Sequence, residues 1–428
     1  MRPEKPHFSR IVKYMIFLYV TGTLYVLVNR DLPTLPSEAD LSLNSRDSLD
    51  SESPAENVIT STTWVNSKRK QTALWINSKG ESETLPESVI LSKSFSQSMG
   101  APNVTPYYFK ATEHFSQNDI TICTLVTHDR FPVLARLVKN YKGPVSAAIH
   151  INDDDQRDSI VEDLQQIYET EPLVRQYLDV HLIIDKHDRQ FNLWRNVAKL
   201  FARTEYVMML DVDFHICTNF RESIRQSSKA MELLQSGKAA LVVPAFEFNK
   251  QSEGLDYATF PNTKKDLLEL VTKDQIDMFH KKWLPGHMDT NYTQWYTSSK
   301  PYRTKSYQHS YEPYIIYKKE GTPWCDERFI GYGANKAACL FEIYISGVEY
   351  WVLPNDFLIH QTHYYPEDTR TRERRYNRQL YEVFREEVCL RYNRKFKANG
   401  VWNGPEAANA RKECSKLRGF RAAAANLG

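Results

Sequence analysis

206-YVMMLDVDFHI-216 decides how this chain is read. Tyr206 to Leu210 is a short apolar run, the composition of a strand covered on both faces, as in a parallel sheet. Asp211 and Asp213 follow, separated by Val212. In an extended backbone residues i and i+2 point the same way, so the two carboxylates are expected on one face. Carboxylates held that close repel, and without a cation one is pushed toward its protonated form. Oxygen ligands suit Mg2+ or Mn2+ better than zinc, so a divalent metal site is one reading. The other is a pair of solvated aspartates ending a strand and capping a turn.

Upstream, strand-like and helix-like segments alternate. Ile120–Val126, Val145–Ile151 and Val180–Ile184 read as strands; Phe131–Tyr141, Ser159–Tyr168 and Asn192–Arg203 read as helices. Such alternation predicts a doubly wound α/β fold with a mainly parallel, Rossmann-like sheet. Ligands of these sheets bind beyond the carboxyl ends of the strands. Thr127-His128-Asp129, Asn152 to Asp155 and Asp211-Val212-Asp213 all follow strands directly, so three polar clusters are expected at one rim. Residues 249–322 have no clear period and read as binding loops. Further on, Ala337–Ser346 reads as a helix, with Tyr350–Leu353 and Phe357–His360 as short extended stretches. Gly331-Tyr332-Gly333 looks like half a dinucleotide fingerprint, but no strand precedes it and no third glycine follows, so that reading is discarded.

The 428 residues are 41% hydrophobic and 12% aromatic, which is globular, and a formal charge of +2 gives no signal for nucleic acid. Ile11–Val28 is an apolar run about long enough to span a bilayer. Arg2, Lys5, Arg10 and Lys13 place its N-terminal side in the cytosol. The expected organisation is a cytosolic tail (1–10), a transmembrane signal-anchor (11–28), a flexible luminal stem (29–115) and a luminal domain (116–428). A cleaved signal peptide is the competing reading, disfavoured because no small-residue cleavage pattern follows Val28. Asn103-Val104-Thr105 and Asn291-Tyr292-Thr293 are glycosylation sequons that suit a luminal chain. None of the six cysteines forms a C-x-x-C pair; three disulfides are allowed, with no readable pairing.

Taken together, 120-ITICTLVTHDRFPVLARLVKNYKGPVSAAIHIND-153, 192-NLWRNVA-198, 206-YVMMLDVDF-214, 326-DERFIGYGANK-336 and 353-LPNDFLIH-360 resemble glycosyltransferase family 49, the LARGE-type luminal transferases. The family includes β-1,4-glucuronyltransferases, formerly described as i-antigen β-1,3-N-acetylglucosaminyltransferases. The resemblance implies a GT-A fold, a UDP-sugar donor, a glycan or glycoprotein acceptor, and Mn2+ with Mg2+ as the alternative. It implies a single-pass type II protein of the Golgi membrane, compatible with homo- or hetero-oligomers with other transferases. Asp213 is then the expected direct metal ligand, with Asp211 on the ribose or on the metal through water. His360 completes the metal shell, with His363 as the fallback. Arg195 and Asn196 become donor contacts, since guanidinium forks match phosphate oxygens. Thr127, His128 and Asp129 are expected at the nucleotide, although any of them could instead cap the helix near Phe131.

Inversion at the anomeric carbon requires a general base for the acceptor hydroxyl. Asp326 and Glu327 are the candidates; Asn335 and Lys336 stand where better-known inverting enzymes carry an acidic pair. Trp324, Tyr332 and Trp351 could stack on sugars or serve the core. The run 369-TRTRERRYNRQLYEVFREEVCLRYNRKFK-397 reads as a solvated helix laced with ion pairs, against a basic groove for an anionic glycan. A catalytically silent glycan-binding or scaffold homologue is the alternative function; Mn2+-dependent release of UDP separates the two.

Overall fold

The computed structural model describes residues 103–363 and 368–425, together with two short strands between residues 72 and 86. All belong to the unit running from Thr62 to Gly428. The expected anchor at 11–28 lies outside the described residues, and no described helix is long and apolar enough to cross a membrane.

β1 (Thr72–Ile76) and β2 (Ser82–Pro86) pair antiparallel with Thr72 opposite Pro86. β3 (Val104–Phe109), in the segment read as stem, is an edge strand antiparallel to the strand Leu178–Asp185. Its tie is specific: the Tyr107 amide donates to Nδ1 of His181 at 3.1 Å. Folded structure therefore begins before residue 116. Pro106 and the absence of flanking apolar periodicity hide this strand in the sequence.

The alternating elements appear, with one short helix (α3) that the sequence reading did not expect: β4 (Ile120–Val126), α1 (Phe131–Tyr141), β5 (Val145–Asn152), α2 (Arg157–Thr170), α3 (Pro172–Tyr177), β6 (Leu178–Asp185), α4 (Phe191–Phe201) and β7 (Tyr206–Met209). Then come β8 (Phe214–Ile216), α5 (Phe220–Gln226), α6 (Ser228–Gln235), β9 (Ala239–Val243) and β10 (Ala245–Phe248). The weakly patterned stretch holds α7 (Lys264–Thr272), β11 (Ile276–Met278), α8 (Tyr292–Thr297), β12 (Tyr302–Arg303) and β13 (Tyr314–Lys318). α9 (Asn335–Ile345), β14 (Glu349–Val352), β15 (Leu358–His360), α10 (Asp368–Ala398), α11 (Ala408–Cys414) and α12 (Arg418–Ala425) complete the chain.

The main sheet has nine strands in the order β12-β14-β9-β13-β7-β4-β5-β6-β3. Four neighbouring pairs are parallel (β4–β5, β5–β6, β4–β7, β9–β14) and four antiparallel (β3–β6, β7–β13, β9–β13, β12–β14). The fold is α/β, but the sheet is mixed rather than mainly parallel. The inversion comes from β13, whose YIIYK run inserts antiparallel between β7 and β9. Strand alternation in sequence carries no orientation, so this insertion was not legible.

A second sheet, β11-β10-β15-β8, stands beyond the end of β7. In it β8 runs antiparallel to β15 with Phe214 opposite His360. This register sets the site. Apolar side chains fill both faces of the main sheet, with Trp194, Phe341 and Tyr350 on one and Val138, Ile149 and Phe220 on the other. α9 is buried at every position, which forces its Lys336 and Glu342 to find partners inside the protein. Cys325–Cys339 and Cys389–Cys414 are disulfides, while Cys123 and Cys217 are free and buried.

α10 has fewer internal ion pairs than its sequence suggests. Among the described residues only Arg385–Glu382 pairs within the helix. Glu373 instead holds Arg189 (2.7 Å), Glu387 holds Arg328 (2.9 Å) and Arg391 holds Glu342 (2.9 Å). The helix is thus tied to the body, and it packs on the Gly331–Gly333 turn. Gly333 has φ +94°, and a Cβ there would stand 3.0 Å from Cα of Arg374. Close backbone approach, not a nucleotide, explains that glycine.

Candidate functional site

β7 ends at Met209, and the Phe214 amide bonds back to the Asp211 carbonyl at 3.3 Å, closing a turn. Asp211 and Asp213 therefore lie on a turn, where the i, i+2 rule for extended chain no longer holds. Different groups serve the two carboxylates.

Asp213 meets the end of β15. The Phe214–His360 register brings the Gln361 amide to the Asp213 carbonyl at 2.9 Å. Ligating atoms of Asp213, His360 and His363 all lie within 4.8 Å of one another. His363 Nε2 is 3.0 Å from Asp213 Oδ2. Arg130, at the start of α1, places Nη2 2.8 Å from His363 Nδ1 and Nη1 3.7 Å from Asp213 Oδ1. A guanidinium can only donate, so His363 Nδ1 accepts and the ring proton sits on Nε2, toward Asp213. Burial pulls His360 down to about 4, with Asp213 opposing, so its ring is neutral at neutral pH. One carboxylate and two imidazoles can ligate a first-row divalent ion: the carboxylate suits Mn2+, while the imidazoles suit Zn2+ or Fe2+ as well. A metal entering here would displace the Asp213 pairing with His363 and Arg130, and His363 would give up Arg130 or its Nε2 proton. Asp211 is not part of this triad.

Asp211 faces cations. Its Oδ2 accepts from the Tyr314 hydroxyl (2.9 Å) and Lys336 Nζ (3.2 Å), and its Oδ1 lies 3.5 Å from Arg195 Nη2. Burial would raise this carboxyl, but Lys336, Arg195 and the Tyr314 hydroxyl outweigh it and hold it well below the usual carboxylate range. Lys336 itself is pulled below its ordinary value by burial, with Asp211 and Glu312 opposing. Glu312 is the other acid here. Burial raises its carboxyl, while Lys336, Arg195 and the Ala337 amide lower it and Asp211 adds to the rise.

The remaining expected residues divide. Arg195 is buried, donating to Asn192 Oδ1 (3.0 Å) and Asn335 Oδ1 (2.7 Å), which aims its other nitrogen at Asp211. Asn196 is spent on the fold: its Nδ2 donates to the Cys325 carbonyl (2.8 Å) and Glu327 Oε1 (2.7 Å). Asp326 is gripped by Arg328, whose Nη2 stands 2.6 Å away, and Glu327 is buried against Asn196. Neither expected base is presented as a carboxylate open to substrate. Thr127 donates to Asp129 Oδ1 (2.6 Å), while His128 pairs with Asp163 on α2 (2.9 Å), so this turn before α1 is tied to itself and to α2. Asn103 is exposed; Asn291 is exposed too, but its side chain caps α8 through the Gln294 amide (3.1 Å).

Sequence reasoning missed Tyr314, Arg130 and Glu312. Tyr314 and Glu312 sit at and beside the entry to β13, within the stretch 249–322 whose lack of period reads as loop. Arg130 had only its position after the polar cluster to mark it.

A family model described as "Glycosyl-transferase for dystroglycan" matches residues 119–191 and 185–393. This chain belongs to that family, glycosyltransferase family 49. The curated relatives it matches are of the LARGE type. The mouse xylosyl- and glucuronyltransferase LARGE2 is 33% identical over 251 residues, 58% of this chain and 34% of its own length. Human LARGE1 is 31% identical over 265 residues, 60% and 34% respectively. Chicken LARGE1 is 29% identical over 356 residues, 82% and 41%. The chain thus spans about a third to two-fifths of the curated relatives it matches. The solved structure of GalNAc-T7 with UDP, GalNAc and Mn2+ aligns at a TM-score of 0.36 and 9% identity, over 58% of this chain and 44% of that one, too slight a likeness to bear on this chain's chemistry. In family 49 terms, the quoted motifs converge on one rim: 206–214 and 353–360 through the β8–β15 ladder, 192–198 and 326–336 through Arg195 and Lys336.

Proposed function

We propose that this family 49 member is a metal-dependent, inverting transferase of the GT-A type. It moves glucuronic acid or N-acetylglucosamine from a UDP-sugar to a glycan hydroxyl in β linkage. We place it in the Golgi membrane as a type II protein, anchored by residues 11–28. The observation that carries this reading is the Asp213–His360–His363 triad standing at the same turn as the cation-bound Asp211. A divalent ion held there would supply Lewis-acid stabilisation of the charge that develops on the leaving diphosphate. The chain's own groups do the rest. Arg195 and Lys336 offer two fixed positive charges around Asp211, preorganised by Asn192, Asn335 and Tyr314, to orient an anionic donor. Arg130, once displaced from His363, is free to turn toward a phosphate oxygen. Glu312, raised by burial and standing with Asp211 around Lys336, is a further candidate beside Asp326 and Glu327 to take the acceptor proton.

The relatives named xylosyl- and glucuronyltransferases favour glucuronic acid and add xylose to the donors worth testing. The full chain, assayed with UDP-glucuronic acid, UDP-N-acetylglucosamine and UDP-xylose, should release UDP with Mn2+ and stop in excess chelator. Undiminished transfer in chelator overturns the metal reading. Metal-independent glycan binding without any UDP release would instead favour the silent homologue.

A further inference from the structure

The segment 280-HKKWLPGHM-288 carries three large apolar side chains in the open: Trp283 is 57% exposed, Leu284 49% and Met288 50%. Exposed apolar groups this close together in the chain are candidates for a docking place. The backbone beneath them is fixed. His280 takes the left-handed conformation (φ 55°), its amide bonded to Glu247 Oε1 at 2.9 Å. The Trp283 amide bonds to the His280 carbonyl (2.6 Å), and its indole lies over Gly286, where a Cβ would stand 3.2 Å from Trp283 Cδ1. The Gly286 carbonyl in turn accepts from the Glu312 amide (2.8 Å). Downstream, Asp289 takes the Ser306 hydroxyl (2.5 Å) and Thr290 meets the Tyr311 hydroxyl (2.8 Å).

This plate adjoins the proposed centre. His287 follows Gly286 directly, and its ring faces Tyr314, centroids 6.2 Å apart and nearly parallel, while Tyr314 donates to Asp211. Glu312 is bonded to the loop through its amide and shares Lys336 with Asp211. A rigid exposed indole beside a group-transfer site, flanked by the polar His280 and Lys282, has the makings of a sugar subsite. The negative π face meets the positive C–H edge of a pyranose, and nearby polar groups fix its hydroxyls.

We infer that Trp283 is the stacking platform for the acceptor sugar, seating the ring whose hydroxyl is glycosylated or the one next to it. This rests on the transferase reading and adds where the acceptor lies. The test uses the full chain with aryl β-glycosides of xylose, galactose and N-acetylglucosamine as acceptors. Trp283→Ala should raise acceptor KM about tenfold with a much smaller change in kcat, and Trp283→Phe should recover most of the loss. Val383→Ala, removing an equally exposed apolar residue on α10, should leave acceptor KM unchanged. Wild-type acceptor KM in Trp283→Ala overturns the proposal. So does a proportional fall in acceptor-free UDP release, which would make Trp283 structural. So does loss of a dimer in sedimentation, which would show that a second copy covers the plate. Should the wild type release no UDP at all, the transferase reading fails by itself. Direct calorimetric binding of the same glycosides without donor then decides Trp283: a weaker signal in Trp283→Ala supports the platform, and equal signals sink it.

Discussion

The Lys336 ammonium lies 3.4 Å from the centre of the Tyr314 ring, and both residues reach the same oxygen of Asp211. A buried ammonium is thus held by a π face on one side and a carboxylate on another, which opposes the loss of charge that burial favours. Lys336→Met removes the charge at nearly constant volume. Transfer should fall about a hundredfold, the scale for losing one preorganised electrostatic group, with far-UV circular dichroism unchanged. Turnover within twofold of wild type would show that Lys336 is only structural.

The proposed function assigns metal binding to the triad and donor orientation to Asp211. Asp213→Asn and His360→Ala should each abolish Mn2+ binding measured by calorimetry on the full chain. Asp211→Asn should keep Mn2+ affinity within a few-fold while losing transfer, since its partners are Lys336, Arg195 and Tyr314 rather than the triad. Equal loss of Mn2+ in all three variants would place Asp211 in the metal shell after all.

Glu312 should set the acid limb of the rate profile. A base works deprotonated, and burial raises this carboxyl, so the limb should lie above the ordinary glutamate value of about 4.3. Glu312→Gln should cut kcat and remove that limb. A limb that persists in Glu312→Gln assigns the base elsewhere.

Stability should carry a separate pH signature from His181. Ser146 donates to the Ala198 carbonyl (2.7 Å), so it accepts from His181 Nε2 at 3.0 Å, while His181 Nδ1 accepts from Tyr107. Both ring nitrogens are satisfied by the neutral form, and burial pulls the group from 6.5 down to about 3. Between those values the unfolded chain takes a proton that the folded chain refuses. Stability is therefore lost as pH falls from 6.5, at about 1.4 kcal/mol per unit from this one group. Urea unfolding at pH 7, 6 and 5 should show it, and His181→Gln should flatten the slope. An unchanged slope would assign the acid sensitivity to other groups.

The reach of sequence reasoning differed by element. The helices α1 and α4 and the strands β4 to β7 follow from local apolar period, because each buries a face that its own residues define. Asp213, His360 and the fallback His363 were legible as chemistry-bearing residues beside apolar runs. A charged pair before a glycine turn looks the same in sequence whatever it faces; in the fold Asp326 meets Arg328 and Glu327 meets Asn196.

Local sequence carries an α/β chain of family 49 type, with acidic and imidazole side chains placed at strand ends. Those properties are local, written in the order and period of neighbouring residues. Only the tertiary structure decided that β13 runs antiparallel through the sheet, that Phe214 faces His360 across a ladder, and that Asp211 is claimed by Lys336 and Tyr314. These are pairings between residues more than a hundred positions apart, fixed by how buried backbone and buried charge find partners once the core closes.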